Sequence, residues 1–238
     1  LLYFAGKISG MRAIILQIKT FPKTVQLLGL VLILFGGRGL LLFALGRQLR
    51  NSPPVFYGSL GLVYLLFILA VLLTVWRDNR FRQALGLVWG GGKLAVLLAA
   101  GLGGLALGVV WLRGGSLGLA RPIEAWGVLL LEGFGVTVAA PLVEEIIFRG
   151  LLLAWMLEWR PSFWPWFGRM GPYPAIGLSA LAFALAHLGG SPLFLVVLFI
   201  GGLLYGWVRW QSGSLWPSLA GHAAWNSALL IGQVLYWL

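Results

Sequence analysis

Residues 56–76, FYGSLGLVYLLFILAVLLTVW, run for twenty-one positions without a charged side chain. At ~1.5 Å per residue a helix of this length covers ~30 Å, the thickness of a bilayer's hydrocarbon core. Helices are the only spanners that fit, because strand alternation is absent and an open sheet would leave backbone groups unpaired in lipid. Working outward, apolar runs of spanning length recur at about 25–46, 93–113 and 124–158, with shorter ones near 173–187, 191–208 and 215–237. The expected fold is an all-α, polytopic transmembrane helix bundle of about seven to eight helices. Composition agrees: the 238 residues are 60% hydrophobic and 10% charged, with 13 Trp and a mean hydropathy of +0.95, too apolar for a soluble domain.

The 17 Lys and Arg against 6 Asp and Glu give a net charge of +11. In a soluble chain this would point to nucleic acid; here the cations lie mainly between apolar runs, where they hold loops inside and meet anionic headgroups. The expected partner is therefore the lipid bilayer, with no nucleic acid. One side collects Lys7, Arg12, Lys19, Lys23, Arg77, Arg80, Arg82, Lys93, Arg160, Arg169 and Arg209; the other has Arg47, Arg50, Arg113 and Arg121. The positive-inside rule puts the N-terminus in the cytoplasm. Residues 1–24 then read as an N-terminal cytoplasmic segment, 25–123 as N-terminal transmembrane helices and 124–238 as a C-terminal transmembrane core. Leu1 to Gly10 precede Met11, and no cleavable signal is legible. Arg38 falls inside a run beside Gly36, Gly37 and Gly39, which suggests a helix break or a snorkelling site. Residues 160–174, rich in Trp, Phe and Pro, read as an interfacial connector. Without Cys there is no disulfide, thiolate metal site or cysteine nucleophile.

Ionisable side chains within the spans are the features that call for a function. Glu145 and Arg149 are spaced i, i+4 in the favoured order, so they can pair. Glu144 is then the spare carboxylate. It lies about 100° around the helix, free to face a cavity as a general base. The same three residues equally describe an interhelical polar clamp. Phe183 precedes His187 by four and His222 precedes Asn226 by four, and these are the chain's two histidines. Each pair shares one helix face. His222 and Asn226 can donate hydrogen bonds to an oxyanion, or they can cap and pack. Counted from the cytoplasmic boundaries, Glu144 lies about 21 Å deep, His187 about 20 Å and His222 about 12 Å, all inside the ~30 Å core. These depths suit a wet pocket open to the cytoplasm.

Together, in this order, the three motifs resemble the CPBP family of intramembrane proteases, which includes the type II CAAX prenyl endopeptidases and the bacteriocin-processing proteins. The resemblance covers about residues 124–238, which it marks as a catalytic core. It implies an endopeptidase in which Glu144 activates the attacking water with help from His187, His222 and Asn226 stabilise the oxyanion, Arg149 holds Glu145, and Phe183 packs near the site. It implies a peptide or protein substrate, lipidated in the prenyl endopeptidases.

No cofactor is expected. Two histidines and a carboxylate could bind zinc with a water in the fourth position, but the His-Glu-x-x-His pair is lacking and Asn226 suits an oxyanion better than a metal. Two other classes compete. A non-catalytic subunit or assembly factor of a larger membrane complex could keep the scaffold, and a proton-coupled transporter could use Glu144 and the histidines as a relay.

Overall fold

The computed structural model describes residues 21–45, 53–112, 133–157 and 170–237. These are helical, with no β-strand among them. Helix α1 is Phe21–Ala44, α2 Pro53–Trp76, α3 Asn79–Leu85 and α4 Gly92–Leu112. Helix α5 covers residues 133–157, α6 is Tyr173–Leu185, α7 Pro192–Ser212 and α8 Trp216–Trp237. The fold is the all-α membrane bundle expected. Among the described residues four helices, α1, α2, α4 and α7, are long and apolar enough to cross a membrane, and α6 is a shorter apolar helix. The proposed N-terminal segment and aromatic connector lie largely outside the described residues.

Helices α1 and α2 form an antiparallel hairpin tied towards both ends. At one end Lys23 Nζ meets Asp78 Oδ2 at 2.6 Å. At the other, Arg38 donates from Nε to Ser59 Oγ and from Nη2 to the Phe56 carbonyl, both at 3.1 Å, with its guanidinium 4.7 Å from the centre of the Phe56 ring. Helix α1 runs unbroken through Gly36, Gly37 and Gly39, so Arg38 marks a cross-helix tie rather than the helix break the glycines suggested. Asp78 also caps α3, its Oδ1 accepting from the Arg80 and Phe81 amides. The cap starts a short helix whose Phe81 and Leu85 turn into the core.

That core joins Leu27, Phe67, Val71, Phe81 and Leu85 to Val143, Ile146, Ile147 and Leu151 of α5. Glycines set the closest approaches. A Cβ on Gly202 would stand 2.9 Å from Ala180 Cβ, and one on Gly206 would stand 3.0 Å from Ile176, so α7 rests against α6 along a seam of small residues. Helix α8 lies against α4, with Gly221 on Leu98 and Leu102, and Gly103 on Ala224. The α3–α4 connection is fastened to the α7–α8 turn: Leu215 N donates to Gly86 O, Ser214 Oγ to Val88 O, and Arg209 Nη2 to Ala84 O. Helix α5 is left in the middle, reached from α2, α6 and α8.

Candidate active site

Helix α5 is not a uniform α-helix. Residues Ala140–Glu145 are α-helical, but Gly135–Ala139 before them and Ile146–Leu152 after them are π-helical. Pro141 accounts for the first widening. A proline inside a helix has no N–H to give, and its ring crowds the carbonyl four residues back. In the π register the Ala140 amide bonds the Gly135 carbonyl five residues earlier. The next bond in that register would run from residue 141 to the Val136 carbonyl, and proline cannot make it. Asn226 supplies the missing donor from α8, its Nδ2 lying 2.9 Å from Val136 O. The second π segment also receives a bond from outside, Ser179 Oγ of α6 to Phe148 O at 2.7 Å. Such π segments often mark functional sites, and here the pair brackets Glu144 and Glu145.

Glu145 and Arg149 form the i, i+4 pair, Oε1 to Nη1 at 3.2 Å, with side chains 1% and 0% exposed. Nη1 is at ion-pair distance yet forms no well-aligned hydrogen bond. The guanidinium rests instead among aromatic faces, 4.3 Å from the centre of the Phe183 ring, 5.4 Å from Tyr205 and 5.9 Å from Phe148. Charge attraction and ring faces hold this cation.

Glu145 Oε1 also lies 3.1 Å from His222 Nδ1. An ionised carboxylate only accepts, so Nδ1 carries the proton and Nε2 is the free edge of the ring. Nε2 stands 3.6 Å from Glu144 Oε2. His187 repeats the arrangement: its Nδ1 donates to the Phe183 carbonyl, 2.9 Å away, and its Nε2 stands 3.7 Å from Glu144 Oε1. Each oxygen of Glu144 therefore faces one imidazole Nε2. Both gaps exceed hydrogen-bond length, and with each histidine neutral both sides are acceptors. A water beside the gap can donate to both. Glu144 is 19% and His187 29% exposed, whereas His222 is 6% exposed. The site opens on the His187 side.

Phe183 is the hub beneath these groups. Its ring meets His187 edge-on at 5.0 Å, His222 at 5.7 Å and Phe148 at 5.3 Å. The structure thus gathers Glu144, Glu145, Arg149, Phe183, His187 and His222. Asn226 lies one turn beyond His222, with its amide bonded to the α5 backbone. The i, i+4 spacing foresaw that His222 and Asn226 share a face, but not the acceptor that engages Asn226. Tyr205 and Ser179 belong to none of the three motifs, yet both touch the site. The four-residue spacing of Gly202 and Gly206 was the signal for a close helix approach beside Tyr205.

Among the described residues no three His, Cys, Asp or Glu side chains form a metal-holding group. The donors a cation would meet here are Glu144 and the Nε2 atoms of His187 and His222. Both rings have their Nδ1 bonded to an acceptor, as second-shell partners orient metal-binding histidines.

The family model for Rce1-like proteins, described as type II CAAX prenyl endopeptidase Rce1-like, matches residues 126–228, which contain every residue of this cluster. The match agrees with the resemblance to the CPBP family that the three motifs carry and supports, at family level, a CAAX-type intramembrane protease. With its apolar helices, the chain is an integral membrane protein. No curated protein and no solved structure gives a significant match.

Proposed function

We propose that the protein is an intramembrane endopeptidase that hydrolyses a peptide bond with a water activated by Glu144. The observation that carries this is the convergence of His187 Nε2 and His222 Nε2 on the two oxygens of Glu144, at 3.7 and 3.6 Å. In this reading a water between Glu144 and His187 loses a proton to Glu144 as its oxygen attacks the carbonyl carbon. The carbonyl π electrons move onto oxygen, and the resulting oxyanion takes hydrogen bonds from His222 and Asn226. With Nδ1–H committed to Glu145, His222 donates through Nε2 only when its ring carries both protons. Asn226 has a second Nδ2–H beyond the one on Val136. Collapse of the intermediate breaks the C–N bond, and the proton held by Glu144 passes to the leaving amine. Glu145 and Arg149 position His222 and do not touch the substrate.

The substrate we propose is a peptide delivered from the membrane surface, with a prenylated C-terminal CAAX peptide as the first probe. Purified protein in lipid nanodiscs is expected to cleave a farnesylated peptide of this kind. Glu144→Gln is expected to lower kcat by at least about 100-fold, the loss expected of a general base. Full activity in Glu144→Gln would overturn the role. Cleavage of an unlipidated control peptide at the same rate would remove the prenyl requirement and leave the hydrolase.

The proposed chemistry needs no metal. Dialysis against a chelator is expected to leave kcat unchanged, and loss of activity restored by zinc would overturn that part.

A further inference from the structure

The motif residues sit on α5, α6, the turn just beyond α6, where His187 lies past the helix end at Leu185, and α8, but the ring that covers His222 comes from α7. Tyr205 is buried, 5% exposed. It stacks on the His222 imidazole with centroids 5.3 Å and planes 16° apart. The seam described above plants it there. Gly202 and Gly206 share the face pressed against α6, and Tyr205, about 100° around the helix from Gly206, turns to α8, where a Cβ on Gly221 would stand 3.5 Å from its ring.

His222 needs such a support. Of its two edge contacts only Nδ1 to Glu145, at 3.1 Å, is hydrogen-bond length, whereas Nε2 to Glu144, at 3.6 Å, is not. The imidazole's χ2 torsion is broad. A ring held at one nitrogen can swing its other nitrogen away from Glu144. A flat face against the imidazole opposes that swing, and Phe183, edge-on at 5.7 Å and 89°, limits it further.

We infer that Tyr205 is a positioning residue for the hydrolytic reaction, its ring face holding His222 so that Nδ1 stays on Glu145 while Nε2 stays on Glu144. This rests on the endopeptidase reading. It assigns the work to the ring and not to the phenol oxygen.

The test compares Tyr205→Phe, which keeps the flat face, with Tyr205→Leu, which removes it, in the full-length protein in nanodiscs. Tyr205→Phe is expected to keep kcat within about 3-fold, and Tyr205→Leu to lower it about 10- to 100-fold with little change in KM, the scale of a small misplacement. A second readout needs no substrate. The chain has two histidines, so 15N-histidine labelling gives two imidazoles, and His187→Gln assigns them. The His222 Nδ1–H resonance is expected to stay sharp in the parent and in Tyr205→Phe, and to broaden in Tyr205→Leu. Parental kcat and a sharp resonance in Tyr205→Leu would overturn the inference, as would a loss in Tyr205→Phe equal to that in Tyr205→Leu. Should Tyr205→Leu not fold, Tyr205→Met replaces it; failure of both to fold would assign Tyr205 to stability and overturn the positioning role. If the parent cleaves no peptide, the hydrolase reading fails while the resonance comparison still decides whether Tyr205 holds His222.

Discussion

Glu144 and Glu145 are adjacent in sequence and opposite in circumstance. Glu145 and Arg149 are sealed from solvent, and removing one partner of such a pair strands a charge, at a cost of about 3–5 kcal/mol. The ring faces around Arg149 are there with or without the carboxylate, so they add nothing new when Glu145 is lost. Glu145→Gln is therefore expected to lower the thermal midpoint sharply in detergent or nanodiscs, and to lose activity with it. Glu144 is partly exposed and holds no hydrogen-bond-length contact with either histidine. Glu144→Gln is expected to change the midpoint little while removing activity. Measuring both quantities on both variants separates a charge that sustains the fold from one that faces the reacting water. Arg149→Lys is not conservative here, because a compact ammonium cannot lie flat among three rings as a guanidinium does.

At the scale of the element, α5 is a helix whose backbone requires its neighbours. Pro141 removes the donor that the Val136 carbonyl would meet in the π register, and Asn226 fills the place from α8. The bond fixes α8 against α5 one turn from His222. Interhelical hydrogen bonds in membranes contribute about 0.6–2 kcal/mol, so Asn226→Ala is expected to destabilise by that order beyond any effect on the oxyanion. Pro141→Ala would return an amide donor to α5 that competes for Val136 O, releasing Asn226. A double-mutant cycle on unfolding free energy is expected to show Pro141→Ala and Asn226→Ala coupled by about 0.5–3 kcal/mol. Additive effects would show that the proline and the asparagine act separately.

For the molecule as a whole, the α1–α2 hairpin and the site are joined through one packed core, so ties far from Glu144 bear on it. Asp78 is the clearest. The Lys23 ammonium bonded to it, followed by the Phe81 amide, holds its carboxyl below the usual value of 3.8. A depressed value in the folded state means that this tie stabilises the fold fully above the unfolded carboxyl's titration, near pH 4, and is lost as pH falls through the lower folded value. Asp78→Asn keeps an α3 cap and loses the ion pair. It is expected to lower the thermal midpoint at pH 7 and to match the parent near pH 2, and an equal deficit at both would assign the effect to capping.

Much of this was legible from the chain. The uncharged run 56–76 required a membrane helix because nothing else satisfies a backbone in hydrocarbon. The spacing of Glu145 to Arg149 and His222 to Asn226 placed each pair on one face because helical periodicity is local, whereas α6 ends at Leu185 and His187 reaches the site from the turn beyond it. Three features were not legible. Which carbonyl Pro141 orphaned depended on the π register, and the donor came from a residue 90 positions away. Tyr205 belongs to no motif, and its place over His222 follows from how closely two glycines let α7 approach α6. The sequence by itself determined the membrane bundle and the chemical groups available to a site, since hydropathy and helix period are properties of single segments. Only the tertiary structure decided which nitrogen of each histidine turns to Glu144, what Asn226 bonds and which ring backs His222, because those are set by distances between helices and no segment encodes them alone.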